Sequence, residues 1–205
     1  VSSARSRSDI PVLTSILGEV LAELGTIDRP DALVLIDGRS GSGKSTLARM
    51  LRDAWPGGGG VDLLAMDDIY PGWDGLAAAS AHLFSGILAP RAAGEAGRWR
   101  RWDWDRSGPA DEQVLLPGRP LIVEGAGALT AATAALADLT VWLDAPSELR
   151  RERALARDGE TYAPHWSRWA AQEDRHIALH RPETRADRVY DVADPSIDRT
   201  NPSSR

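Results

Sequence analysis

Residues 31–46 read Asp-Ala-Leu-Val-Leu-Ile-Asp-Gly-Arg-Ser-Gly-Ser-Gly-Lys-Ser-Thr, and no other stretch constrains the fold as much. Gly38, Gly43, Lys44 and Ser45 complete the pattern G-x-x-x-x-G-K-[ST]. A β-branched, apolar run at 32–36 enters the loop, and a helix-compatible run at 46–52 leaves it. That context separates the pattern from a chance Gly/Ser turn. Glycines let backbone N–H groups curl around an anion, and a helix N-terminus adds partial positive charge. Gly38, Ser40, Gly41, Ser42, Gly43, Lys44, Ser45 and Thr46 are therefore the candidate phosphate cradle. Lys44 is placed for the β- and γ-phosphates of ATP, and Ser45 for Mg²⁺.

The rest of the chain fits one domain spanning 1–205, with 1–8 and 195–205 expected as loose polar tails. No apolar run approaches the roughly 18 residues of a membrane span, so no membrane is expected. The net charge of −6 argues against a nucleic-acid partner. Absence of cysteine removes disulfides, thiolate catalysis and Cys-bound zinc, and suits a reducing, cytoplasmic location. Residues 1–8 are Ser- and Arg-rich without an apolar segment, unlike a secretory signal.

Ser8 or Asp9 can cap a first helix with Pro11 in its first turn. Its apolar stripe is Val12, Ile16, Val20 and Leu24, with Leu13, Leu17 and Leu21 alongside, and Gly25 stops it. A second strand is expected at 61–66, helical spacing at 75–88, and further strands at 120–124, 140–144 and 188–192. The Arg- and Trp-rich stretch 94–106 has no clear period. Strands alternating with helices predict a parallel sheet covered on both faces.

Acids stand where such a sheet binds ligands, at the carboxyl ends of its strands. Asp67 leaves the second strand, which is expected to adjoin the loop strand, and can take the proton of an attacking hydroxyl. Its neighbour Asp68 points elsewhere if the strand persists. Glu124 ends the 120–124 strand, the position of a metal-assisting acid. Arg150, Arg153 and Arg157 share one helical stripe at i, i+3 and i+7. Such a stripe suits a triphosphate, or else a solvated face paired with Glu148 and Glu152. Trp73, Trp99, Trp102 and Trp104 cluster in sequence, either to stack a ring or to anchor an irregular region. His176 and His180 lack a His-Glu-x-x-His pattern, which argues against a metal there.

The ordered set 38–45, Met66-Asp67-Asp68-Ile69-Tyr70, Trp73-Asp74, Trp102-Asp103-Trp104 with Arg106, Glu124-Gly125, and Arg150/Arg153/Arg157-Asp158 resembles the uridine kinase branch of the P-loop kinases. It is also similar to pantothenate kinases and phosphoribulokinases. The resemblance covers about residues 31–193. It implies an α/β P-loop NTPase fold: three α/β/α layers, a mainly parallel sheet and a helical, Arg-rich lid at 146–165. It implies ATP and Mg²⁺ as cofactors, with Ser45, Asp67 and Glu124 around the metal. Asp67 would be the general base, Asp74 would hold sugar hydroxyls, and the three arginines with Lys44 would act on the phosphates. Asp68, Tyr70, Asp74, Trp102, Trp104 and Arg106 would line the acceptor site. One departure is clear: the family's Tyr-Asp-Phe-x-x-His-x-Arg run is here Trp102-Asp103-Trp104-Asp105-Arg106, without the histidine. The expected activity is ATP-dependent phosphorylation of a small-molecule hydroxyl, most simply on a nucleoside-like acceptor. Two alternatives stay open. A nucleoside-monophosphate kinase would use Arg98, Arg100, Arg101 and Arg106 on the acceptor side, and a regulatory NTPase would have no acceptor.

Overall fold

The computed structural model describes residues 6–57 and 60–198. Its frame is a six-stranded sheet in the order β2-β5-β1-β6-β7-β8. These are β1 (Leu33–Gly38), β2 (Asp62–Ala65), β5 (Leu121–Glu124), β6 (Leu139–Asp144), β7 (Arg188–Asp191) and β8 (Asp194–Asp198). The first five run parallel, and β8 pairs antiparallel to β7. In the centre Leu35 stands beside Val123 on one side and Thr140 on the other. Leu33 and Leu35 join one apolar cluster, while Val34 and Ile36 join the other. A strand buried on both faces reads as an unbroken apolar run, which is what 32–36 shows. One face packs on α1 (Ser6–Leu24) and α2 (Lys44–Asp53). The other meets α3 (Leu76–His82), the π-helical segment Leu83–Leu88 and α7 (Trp166–His180). The result is the expected three-layer α/β/α arrangement.

Several expectations need correction. The second strand does not adjoin the loop strand, because β5 lies between β1 and β2. The reason is burial: all four residues of β5 are buried, but β2 is only partly so and takes the edge. α1 starts at Ser6, so Pro11 sits inside the helix rather than in its first turn. Its buried stripe is Leu13, Ile16, Val20 and Leu24, with Val12 only partly buried. The stretch 94–106 enters a two-stranded antiparallel ribbon, β3 (Gly97–Asp103) with β4 (Gly108–Leu115). Asp103 closes its turn by accepting the N–H groups of Asp105 and Arg106, each at 3.0 Å. The tail expected from residue 195 instead begins as β8, and 1–5 and 199–205 lie outside the described residues. Among the described residues no helix is long and apolar enough to cross a membrane.

One buried carboxylate ties the central strand to the segment after β5. Asp37 is 1% exposed and accepts the N–H groups of Gly38 (2.6 Å), Gly127 (3.1 Å) and Leu129 (2.8 Å). Tyr70 donates its hydroxyl to the Ala126 carbonyl and Ser80 donates to that of Gly127, both at 2.7 Å. Gly125 turns the chain there at φ +141, and a Cβ on it would overlap the Met66 side chain. The strand ends that carry Asp37, Met66 and Glu124 are thereby locked together.

Replacing Asp37 by Ala would orphan three N–H groups, each costing about 1–3 kcal/mol when buried without a partner. Asp37→Ala is expected to lose about 3 kcal/mol or more of unfolding free energy, read as a lower urea midpoint at unchanged slope. A loss under about 1 kcal/mol, ordinary for a surface substitution, would show that the knot is not structural.

Candidate active site

A cavity of about 1230 Å³ opens where β1, β2 and β5 end. Six of the eight cradle residues line it: Ser40, Gly41, Gly43, Lys44, Ser45 and Thr46. Gly38 and Ser42 do not, being packed beneath the loop against the Leu143 carbonyl and in full burial respectively. Gly41 has φ +81, and a Cβ there would overlap the Arg150 carbonyl. At that position the loop fits only as bare backbone. Lys44 begins α2 and donates its Nζ to the Arg39 carbonyl at 2.9 Å, which holds the ammonium along the loop.

Two carboxylates face this loop. Glu124 ends β5, beside the loop strand, and its carboxylate pairs with the Ser45 side chain. Burial raises its pKa, Lys44 opposes the shift, and Asp67 adds to it. Asp67 lies in a 3₁₀ turn, Met66–Asp68, that follows β2. Its side chain is exposed to the cavity, and the protein packed around it raises its pKa by desolvation against the pull of Arg157 and Lys44. Trp104 donates its indole N–H to the Asp67 carbonyl at 3.0 Å, which pins that turn. Ser45, Glu124 and Asp67 give a set of hard oxygen donors with two mutually repelling acids. That donor set fits Mg²⁺, which takes one or two carboxylates and completes its shell with water and phosphate oxygens. Among the described residues no three His, Asp or Glu form a closed metal cage.

The arginine stripe on α6 (Ser147–Tyr162) divides by position. Arg153 and Arg157 line the cavity. Arg157 is fixed by Asp158, with contacts of 2.8 and 2.6 Å, and that pairing raises its pKa. Arg150 does not line the cavity. It is buried, donates Nε to the Ala145 carbonyl at 2.9 Å, and reaches the Ser40 carbonyl with Nη1 at 3.4 Å. Its place is behind the loop, not over it. Gly159, at φ 59 and ψ −139, breaks α6 just past Asp158.

An aromatic wall of Tyr70, Trp73, Trp104, Tyr162 and Trp169 lines the same cavity, and Tyr162 meets the loop at the Ser40 side chain. Trp73 lies 4.8 Å from Trp104 and stacks at 5.5 Å on Tyr162, and Trp169 meets Tyr70 edge-on at 4.7 Å. Of the six predicted acceptor-site residues, only Trp104 and Tyr70 reach the cavity. Tyr70 does so as a core side chain whose hydroxyl is already committed to Ala126. Asp74 points to the surface and pairs with Arg168, which lowers its pKa. Trp102 lies over Gly72, and Arg106 is 87% exposed beside Asp103. Asp68 is half-buried outside the cavity, its pKa raised by burial against Arg101. Arg98, Arg100 and Arg101 also stand away from it. The sequence reading missed Tyr162, Trp169 and Asp158 as cavity residues and gave Trp73 no definite role. The adjacent Arg157-Asp158 pair was a readable signal, but no spacing connects residues 73, 104, 162 and 169.

No protein-family model matches the chain, and no curated protein matches it. Solved structures do. A protein from Bacillus stearothermophilus, provisionally described as a uridine kinase, superposes with a TM-score of 0.63 at 20% identity over 88% of this chain and 98% of its own. A protein from Silicibacter sp. TM1040, provisionally described as a fructose transport system kinase, gives 0.56 at 24% identity over 82% and 94%. The chain shares their fold.

The raised pKa of Asp67 has a thermodynamic sign. The folded state holds that proton more tightly than the unfolded state, so the ionised carboxylate destabilises the fold at neutral pH. Below the ordinary value of 3.8 both states are protonated and the penalty is gone. Without nucleotide or metal, Asp67→Asn is expected to melt above the wild type at pH 8, the gap closing toward pH 3.8. A variant that melts lower than wild type at pH 8 would reverse this electrostatic account.

Proposed function

We propose that this chain is an ATP- and Mg²⁺-dependent phosphotransferase that acts on a hydroxyl of a small, nucleoside-like molecule. The observation that supports this most is the convergence of Lys44, Ser45, Glu124 and Asp67 on one cavity that continues into an aromatic wall. On this reading the backbone of Gly41 and 43–46 holds the phosphates, and Lys44 sets its charge against them. Ser45 and Glu124 hold the cation, with Asp67 across from them. Bound ATP·Mg²⁺ supplies the phosphoryl group and neutralises the charge on its oxygens. Asp67 accepts the proton of the acceptor hydroxyl, and its raised proton affinity suits a base working near neutral pH. Arg153 and Arg157 line the phosphate end and can stabilise charge on the transferred group. Trp104, through its bond to the Asp67 carbonyl, holds the base in place.

The acceptor end favours a hydroxyl compound over a phosphate ester. A nucleoside monophosphate needs cations on that wall, but Arg98, Arg100, Arg101 and Arg106 stand elsewhere. A regulatory NTPase leaves unexplained the wall of indoles beside the phosphate grip.

The test is acceptor-dependent ADP release across nucleosides, nucleoside monophosphates and sugars. Nucleosides are expected to drive release and monophosphates to be poor; release that ignores every acceptor supports the regulatory reading instead. With the best acceptor, Asp67→Asn is expected to lower kcat by about 10²–10⁴-fold while MgATP affinity is kept. Lys44→Ala should nearly abolish turnover. The wild-type rate should fall on acidification above the usual carboxylate range, because Asp67 must be ionised to act. Full turnover by Asp67→Asn would remove the general-base assignment.

A further inference from the structure

Glu173 lies on α7, outside the cavity, and is 3% exposed. A carboxylate so far from water is costly unless its oxygens are satisfied. Its Oε1 accepts two hydrogen bonds from different parts of the site. One comes from the backbone N–H of Ser40 at 2.7 Å, and the other from the indole N–H of Trp169 at 3.1 Å. Its Oε2 stands 3.9 Å from the guanidinium of Arg39, which is itself tied to Asp174 at 2.6 Å. Ser40 belongs to the loop and Trp169 to the aromatic wall, and both line the cavity. A single oxygen atom therefore joins the two where they meet.

The neighbouring residue extends the bridge. Gln172 donates Nε2 to the Trp73 carbonyl at 2.6 Å and accepts the Leu76 N–H at 3.4 Å. Consecutive side chains of α7 thus hold the backbone of the aromatic wall and the crest of the loop. In the next peptide the Ser40 carbonyl accepts from Arg150 at 3.4 Å, so the residue is held on both sides. Two donors that share one acceptor oxygen compete for it, so a change at either is felt at the other.

We infer that Glu173 is a positioning residue that couples the phosphate loop to the acceptor wall, so that nucleotide on the loop reorients Trp169. The inference rests on the nucleotide-binding reading of the loop. Charge and acceptor geometry both matter in it. Glu173→Gln keeps an acceptor oxygen but loses the charge that faces Arg39; Glu173→Leu loses both; Trp169→Phe keeps an aromatic ring but removes the donor together with the five-membered part of the indole.

The experiment is nitrogen-15 NMR of the full chain titrated with Mg²⁺ and the non-hydrolysable analogue AMP-PNP. The Trp169 indole resonance is identified by its loss in Trp169→Phe. In the wild type this resonance is expected to move as the Gly41 and Gly43 amides saturate. The movement should shrink in Glu173→Gln and vanish in Glu173→Leu. Trp169→Phe should weaken AMP-PNP binding about five-fold, the lower end of ordinary coupling between sites, although its ring does not belong to the loop. If Glu173→Leu does not fold, the comparison of wild type with Glu173→Gln decides. The coupling is overturned if the loop amides move while Trp169 stays still, or if Trp169 moves equally with and without the Glu173 charge. If AMP-PNP moves no loop amide, the nucleotide reading itself fails and this inference with it.

Discussion

A loop of small residues between a strand and a helix cannot hold its own shape, and everything else in this site depends on how that problem is solved. An anion cradle must leave its inner N–H groups to the ligand and admit no Cβ where the backbone is pressed against a neighbour. Rigidity must then come from outside. Here Asp37 holds the end of β1, Glu173 takes the Ser40 N–H, and Arg150 and Arg153 reach the carbonyls of Ser40 and Gly41. Two of these braces, Asp37 and Glu173, are carboxylates at no more than 3% exposure. Their burial is tolerable because N–H donors converge on them, from the backbone at Asp37 and from Ser40 and the Trp169 indole at Glu173. The loop is preorganised by the same charges that would otherwise be a liability.

That arrangement also explains why the other two acids behave differently. Asp37 and Glu173 are filled with protein donors, but Glu124 and Asp67 are desolvated beside each other and only partly answered by Lys44, Ser45 and Arg157. Both hold their protons more tightly than an ordinary carboxyl. Acids left under-satisfied at the mouth of a cavity are a reservoir for function, because a cation or a substrate proton supplies what the protein does not. Stability gives way to reactivity at 67 and 124, and the knot at 37 offsets it nearby.

What the sequence disclosed follows from how local each signal is. The cradle was legible because its chemistry is written in consecutive residues, and the acids because each closes an apolar strand. Sheet order was not, since which of β2 and β5 takes the centre is decided by competition for burial. The arginine stripe was legible as a face but not as a site. Arg150 and Arg157 are seven residues apart, about 10 Å along a helix, so one reaches behind the loop and the other into the cavity. Trp102 and Trp104 show the same limit. Alternation would put them on one side of a strand, but β3 ends at Asp103 and the chain turns there. Trp104 reaches the Asp67 carbonyl, whereas Trp102 covers Gly72. The aromatic wall was hidden altogether, because α6 and α7 bring residues 162 and 169 against 73 and 104 only in three dimensions.

The loop and the aromatic wall are held by different physics, and this bears on selectivity. The loop is fixed by backbone and charge, so it tolerates little variation. The wall is a set of rings held by packing and by single hydrogen bonds from Trp104, Gln172 and Trp169. Rings present flat, weakly directional surfaces that accept many planar partners. The 102–106 run holds no histidine, and Asp74 is turned outward to Arg168. Under the proposed activity the rings would select by shape more than by a pattern of donors and acceptors. Under the proposed activity, then, this fold keeps a stringent donor site and a permissive acceptor site, and α7 is the element that touches both.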